Sequence, residues 1–190
     1  MLHPFTAYQE LAREPDPGAW GLVRRPLFQA CLLGAIASVG ISGRLSLRLV
    51  LSTGAAWSFA PALQMASVLA LRRALGGRHV SLPRSVDLYF MGQGPWCLWL
   101  LALTATQAFV PPERSVSLLA PQGPLLWTAL LPLLWSPVLT FSFLRAAFQA
   151  SRRRAAQGLL LHGAITWGFV LAFFQLSGQL APRLAALLKE

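Results

Sequence analysis

Acidic side chains are scarce in this chain. Charged residues make up 12% of its 190 positions, about half of the ~25% that is typical of soluble domains. Only six residues are Asp or Glu, and three of them, Glu10, Glu14 and Asp16, lie in the first 25 positions. The sequence therefore holds no acid cluster of the kind that binds a divalent ion, and its composition is not that of a protein built for water.

Cysteine and the common enzyme signatures are also nearly absent. Cys31 and Cys97 both lie inside apolar runs, and neither has a CxxC partner or the spacing of metal ligands. We interpret both as buried apolar thiols. The sequence contains no HExxH, no G-x-S-x-G and no phosphate-binding glycine loop. We therefore expect no metal, no cofactor and no enzymatic activity.

Long apolar blocks are what the chain has in place of charge. Hydrophobic residues make up 55% of the sequence. They are concentrated in blocks at about 27–42, 49–71, 88–110, 125–144 and 159–180. Because a helix needs ~17 to ~25 apolar residues to cross a bilayer, the sequence predicts an all-α polytopic membrane protein. We expect a bundle of about five transmembrane helices over 26–180, a short cytoplasmic tail over 1–25 and a C-terminal tail over 181–190.

Proline and glycine predict where these helices bend or break. Pro61 lies inside the second block, where it removes a backbone donor and crowds the preceding turn. Residues 92–95, Gly-Gln-Gly-Pro, predict a break near the start of the third helix, for which Ser85 is the expected N-cap. Pro132 and Pro137 predict a bent fourth helix.

The net charge of +10 comes almost entirely from arginine. Such a charge suits nucleic acid, because basic side chains neutralise phosphates. Most of the bases, however, lie in short segments between apolar blocks, where they face lipid headgroups. We therefore expect membrane lipids as partners and no nucleic acid.

The distribution of the bases also predicts a topology. With the N-terminus in the cytoplasm, the inner segments hold eleven basic residues and the outer segments five. This arrangement follows the positive-inside rule. We interpret the chain as a plasma-membrane protein of a prokaryote, with the N-terminus cytoplasmic and the C-terminus outside after five crossings. The alternative is a re-entrant hairpin of the first two blocks, which leaves three crossings.

Arginine clusters and rows of small residues are the expected contact surfaces. The arginines expected to contact lipid headgroups are Arg72, Arg73, Arg152, Arg153 and Arg154. Small residues that recur every four positions predict helix faces that permit close packing. They are Ala30, Gly34 and Ser38 in the first block, and Ser58, Ala62 and Ala66 in the second. The simpler alternatives are a topological role for the arginines and chance recurrence of common residues.

Asp87 and His162 are the ionisable residues with the clearest functional potential, since such groups in a membrane are functional candidates by default. We expect Asp87 in the first turn of the third helix, at headgroup level, in a local ion pair with Arg84. The alternative is a proton or cation site. For His162 we expect a hydrogen bond to a neighbouring helix, because no second metal ligand stands one turn away; the alternative is a titrating or metal-binding residue.

Several features resemble the Yip family of Ypt/Rab-interacting membrane proteins in its short bacterial form. They are the Pro15 to Trp20 stretch leading into Arg25-Pro26, the basic di-glycine loop from Arg72-Arg73 to Gly76-Gly77, and five helices with the N-terminus inside. The resemblance covers about residues 15–180. The Asp-Leu-Tyr-Gly-Pro type motif of eukaryotic members is absent before the first helix. The resemblance implies a non-enzymatic protein that organises other membrane components, and it assigns no functional residue.

The sequence thus favours a scaffold or accessory subunit that acts through helix and lipid contacts, with another membrane protein or a second copy as partner. A small transporter or exporter subunit is the alternative, because broken helices line the central sites of many transporters. A lipid-modifying enzyme that uses Asp87 or His162 is the second alternative.

Overall fold

The computed structural model describes residues 3–77, 79–109 and 123–187, and these residues form helices joined by short turns. In chain order the helices are α1 (Pro4–Arg13), α2 (Trp20–Ser42), α3 (Leu47–Trp57), α4 (Phe59–Leu75), α5 (Leu82–Met91), α6 (Gly94–Phe109), α7 (Pro124–Thr128), α8 (Leu130–Ala147) and α9 (Arg152–Leu187). The prediction of an all-α bundle is confirmed.

Four stretches are long and apolar enough to cross a membrane. They are Trp20–Gly40, Leu47–Leu75, Leu130–Ala147 and Arg152–Phe173. Large apolar side chains on these stretches point away from the bundle; Phe28 is 62% exposed and Leu160 is 75% exposed. Exposed apolar surface on this scale marks contact with lipid or with other proteins. The chain is therefore a polytopic membrane protein.

The third apolar block differs from the single helix predicted over 88–110. It consists of α5 and α6, which are separated at Gly92 and Gln93. Its first helix begins at Leu82 with Ser81 as the N-cap, and not with a cap at Ser85. The second helix has 16 residues, just below the ~17 needed for a full crossing, and residue 110 lies outside the described part.

Each break inside an apolar block falls four residues before a proline. Helix α3 ends at Trp57 before Pro61, α5 ends at Met91 before Pro95, and α7 ends at Thr128 before Pro132. Proline has no N–H to donate to the carbonyl four residues earlier, so the helix ladder is interrupted at that carbonyl. The proline then lies in the first turn of the next helix, where an N–H has no intrahelical partner. The new helix therefore loses no backbone hydrogen bond at the proline.

The segments that the sequence predicts as short tails are largely helical. Helix α1 packs against α8, where Tyr8 is 3% exposed and its ring lies 5.9 Å from that of Phe143 in an edge-on contact. Helix α2 starts at Trp20, within the expected tail 1–25, and α9 continues to Leu187 across most of the expected tail 181–190. Residues 188–190 are outside the described part.

The tightest core lies at one end of the bundle. There α2, the end of α4 and the end of α8 pack against α5, and Leu71, Leu88, Phe143, Leu144 and Ala155 are fully or almost fully buried. The same end carries most of the basic side chains. We call it the basic end and define it by Arg24, Arg25, Arg72, Arg73, Arg84, Arg145, Arg152, Arg153 and Arg154.

Candidate functional site

The candidate site is built on α5, a helix that carries polar side chains through the core of the basic end. The hydroxyl of Ser81 accepts a hydrogen bond from the Arg84 amide at 3.2 Å and so caps the first turn. Pro83 occupies the first turn, where its missing N–H is harmless. Beyond the cap, residues 84–90 are all buried. Helix α5 is therefore an interior element, and not the start of a lipid-facing span.

Asp87 is the centre of this site. Its carboxylate is 1% exposed, so Asp87 is buried inside the bundle. Its expected depth, at the level of the headgroups, stays a prediction. Arg24 donates to both oxygens, through Nε at 2.8 Å and Nη2 at 2.7 Å, and Arg25 donates through Nε at 2.7 Å. The expected partner, Arg84, is the most distant of the three, with its Nη1 3.8 Å from Oδ2.

The arginines keep Asp87 ionised. Burial alone raises the pKa of a carboxyl group, but the hydrogen bonds and positive charges of Arg24 and Arg25 outweigh this effect, and the pKa of Asp87 lies below its usual value. Because the bonds join residues 62 and 63 positions apart, they fasten the start of α2 to α5. The chemical role that follows is a structural ion pair.

A second set of polar contacts fastens the segment between α1 and α2 to the same helix. Arg84 lies 3.5 Å from Glu14 through Nη1 and donates through Nη2 to the Pro15 carbonyl. Arg72, at the end of α4, donates to the Ser85 hydroxyl at 3.2 Å. The polar face of α5 is thus bonded to three other segments of the chain: the start of α2, the segment between α1 and α2, and the end of α4.

His162 also joins helices, in the way the sequence predicts. Its Nδ1 lies 2.8 Å from the Ser67 hydroxyl on α4, and its Nε2 lies 3.3 Å from the Tyr89 hydroxyl on α5. Burial raises the pKa of Tyr89, which keeps the phenol protonated and able to form this hydrogen bond. Within 3–77, 79–109 and 123–187, no group of three His, Cys, Asp or Glu is placed to hold a metal ion.

The first row of small residues lies at the crossing of α2 and α3. A Cβ on Gly34 would overlap the Val50 carbonyl oxygen, and one on Gly54 would lie 3.1 Å from the Ala30 carbonyl oxygen. Ser38 is fully buried, and its hydroxyl accepts from the Ser46 amide at 2.9 Å. Close approach of the two backbones therefore depends on small side chains in this row.

The second row does not pack inside the chain. Ser58, Ala62 and Ala66 are exposed, so the predicted packing face is not covered by a described helix of this chain. Helix α4 instead buries the opposite face, which carries Val68 and Leu71. These larger side chains fill more of the core, so they and not the small ones face inward.

The arginines expected at lipid headgroups are divided between two roles. Arg73, Arg152, Arg153 and Arg154 are exposed at the rim of the basic end, whereas Arg72 is partly buried through its bond to Ser85. Arg154 also borders a polar cavity of about 430 Å³ together with His79 and Gln149. The exposed four are placed to meet anionic groups at a membrane surface.

The partners of Asp87 are what sequence reasoning missed. Arg24 and Arg25 served there only as topology signals. The sequence does contain a signal for these partners. A carboxylate inside a helix bundle needs positive charge beside it, and Arg24-Arg25 is a pair of bases at the start of a predicted helix. Nothing in the local pattern, however, shows that residues 24 and 87 are neighbours.

No family model, curated protein or solved structure matches the chain.

Proposed function

We propose that this protein is a non-enzymatic scaffold or accessory subunit of the plasma membrane of a prokaryote, and that it acts through helix and lipid contacts. One observation carries the proposal. Asp87 and His162, the side chains best suited to chemistry, each bridge helices through two or more contacts. Groups held in this way serve assembly, whereas a general acid or base must meet a substrate.

The basic end is the cytoplasmic face in this proposal. Its exposed arginines, Arg73, Arg152, Arg153 and Arg154, meet the anionic lipids of the inner leaflet, where each base contributes about 1 kcal/mol of attraction. With the shorter helix α6 as a fifth crossing beside the four longer stretches, the N-terminus lies in the cytoplasm and the C-terminus outside.

The partner surface in this proposal is the exposed row of Ser58, Ala62 and Ala66 on α4. Small side chains let a helix of another subunit approach closely, which is the main source of helix association in lipid. The occupant is a membrane-spanning helix of a second protein or of a second copy. The resemblance to the Yip family, whose members are taken to organise other membrane components, points in the same direction.

Site-specific photo-crosslinking in native membranes tests the scaffold role. A photoreactive residue at Ala66 is expected to give a protein adduct, whose mass separates a second copy from another protein. The matched control is the same residue at Leu160, which is 75% exposed on α9 and is expected to crosslink to lipid. Lipid adducts alone at both positions would contradict the scaffold proposal.

A transporter subunit is the second candidate, and the three proline breaks favour it. Discontinuous helices expose backbone carbonyls and amides near the membrane midplane, as in many transporters. Proteoliposomes that contain only this protein provide the test. Solute uptake above that of protein-free liposomes favours transport, and its loss on Pro95→Ala would tie transport to the break between α5 and α6.

A further inference from the structure

A small cavity lies between α2, α5 and α6, one side of which opens toward the membrane. Its volume is about 130 Å³, and the lining includes Arg25, Phe28, Gln29, Gly94 and Cys97. Drug-sized ligands occupy pockets of ~300 to ~1,000 Å³, so this cavity fits only a group the size of a phosphate with a few attached atoms.

Two polar groups at this cavity lack partners within the described chain. Arg25 uses its Nε for Asp87, and its two terminal nitrogens donate to no described residue. The Gln29 amide oxygen is buried and accepts no hydrogen bond there. Buried polar groups are nearly always paired. The cavity therefore offers charged donors and one acceptor to the same small ligand.

The charges around the cavity select an anion. The single carboxylate of Asp87 is shared by Arg24, Arg25 and Arg84, so the cluster keeps an excess of positive charge. The guanidinium of Arg25 matches phosphate oxygens in geometry and charge. The Gln29 oxygen requires a donor, which a headgroup hydroxyl supplies.

The surroundings point to a membrane lipid as the source of that phosphate. Phe28 and Leu98, beside the cavity, are 62% and 70% exposed, and they belong to apolar helices along which acyl chains can lie. Trp20, 62% exposed, is five residues before Arg25 on α2, as expected for a residue at the membrane interface. Arg25 therefore lies within about two helical turns of the membrane interface, within reach of a lipid headgroup for a long side chain.

We propose that this cavity binds the phosphate and headgroup of one anionic phospholipid, such as phosphatidylglycerol. Arg25 binds the phosphate, Gln29 accepts a hydrogen bond from a glycerol hydroxyl, and the acyl chains lie along Phe28 and Leu98. The site goes beyond the proposed scaffold role, because its lining lies on α2, α5 and α6 and includes no residue of the row on α4.

Cys97 provides a direct readout. In the Cys31→Ala variant, in which the exposed second thiol is removed, maleimide labels Cys97 in nanodiscs of defined composition. Phosphatidylcholine is the control lipid, because its headgroup has no hydrogen-bond donor and no net charge. Both lipids carry a phosphate, but only phosphatidylglycerol has a hydroxyl that can donate to the Gln29 oxygen. We expect it to slow labelling about tenfold relative to phosphatidylcholine, the factor that pairing one buried oxygen supplies.

The same assay separates lipid from free ion. Inorganic phosphate added to phosphatidylcholine nanodiscs is expected to leave the labelling rate unchanged. Protection by phosphate alone would show an ion site and overturn the lipid assignment. Equal labelling in the two lipids would overturn the site itself.

Two variants test the geometry by native mass spectrometry of lipid retained in detergent. Gly94→Leu fills the cavity, and its control is Gly168→Leu on α9; a Cβ at either glycine meets nothing within 4 Å, so both are expected to fold. Gln29→Leu removes an oxygen that the fold does not use. Retained phosphatidylglycerol is expected to fall about tenfold in Gly94→Leu and Gln29→Leu and to stay unchanged in Gly168→Leu. Wild-type retention in folded Gly94→Leu and Gln29→Leu would overturn the proposal.

Discussion

Arg24 and Asp87 form a two-pronged ion pair, with the arginine Nε and Nη2 at 2.8 and 2.7 Å from the two carboxylate oxygens. The pair joins the start of α2 to the middle of α5 and lies beside a third bond, from Arg25. Taking a carboxylate out of water is unfavourable unless such partners compensate for the lost hydration. The basic end is thus held together by charge as well as by its apolar core.

Replacing Asp87 is expected to destabilise the protein more than replacing any acid at the rim. Asp87→Asn leaves Arg24 and Arg25 without a counter-charge, whereas Arg84 keeps Glu14 at 3.5 Å. Loss of one partner of a buried pair costs ~3–5 kcal/mol, and we expect about 3 because the two main arginines are 37% and 35% exposed. Unfolding in detergent by increasing SDS measures the change.

The control for Asp87→Asn is Glu14→Gln, which is the same chemical change at a side chain that is 54% exposed and 3.5 Å from Arg84. Its cost is expected below ~1 kcal/mol. Equal losses in the two variants would show that the ion pair at Asp87 does not hold α2 to α5.

The ion pair also predicts how stability depends on pH. The pKa of folded Asp87 lies below its ordinary value, which is ~3.9 in the unfolded chain. The pair therefore contributes fully above pH ~4, and this contribution is lost as the pH falls through the lower, folded pKa. The SDS midpoint of the wild type is expected to fall in acid and that of Asp87→Asn to fall less. Parallel acid curves for the two proteins would contradict this assignment.

The hydrogen bonds of His162 predict that two substitutions lower the stability of the protein by different amounts. His162→Leu leaves the hydroxyls of Ser67 and Tyr89 without their shared partner, at a cost of ~1–3 kcal/mol. Tyr89→Phe keeps the Ser67 bond of 2.8 Å and removes the longer contact of 3.3 Å, together with the interaction of the phenol with Gln93, so its cost is expected near the lower bound, ~1 kcal/mol. SDS unfolding ranks the two, and a larger loss for Tyr89→Phe would place the main contact at the phenol.

The helix breaks could be predicted because their cause is local. A missing N–H at Pro61, Pro95 or Pro132 acts on the carbonyl four residues earlier, and sequence alone identifies both positions. The prediction differed in degree at Pro61 and Pro132, where bent helices were expected and α3 and α7 instead end at Trp57 and Thr128. Whether an interrupted helix bends or restarts depends on neighbours that the local pattern does not contain.

The burial of α5 could not be predicted for a different reason. Arg84 and Asp87 are charged, so they were expected at the edge of the third apolar block, which was predicted to begin at residue 88, six residues after the true start of α5 at Leu82. Their burial depends on charges that lie more than 60 positions away. The same limit applies to Ser58, Ala62 and Ala66, since a repeat of four defines a face but not the neighbour it meets.

The crossing of α2 and α3 predicts a sharp dependence on the size of residue 34. A Cβ on Gly34 would overlap the Val50 carbonyl and lie 2.9 Å from the Gly54 amide nitrogen. Because both are backbone atoms, Gly34→Ala must separate the helices, and we expect a loss of ~1–3 kcal/mol by SDS unfolding. Gly168→Ala makes the same change where a Cβ meets nothing within 4 Å, and higher helix propensity is expected to stabilise it by ~0.5–1 kcal/mol. If both variants gained stability, α2 and α3 would have to lie farther apart than this packing requires.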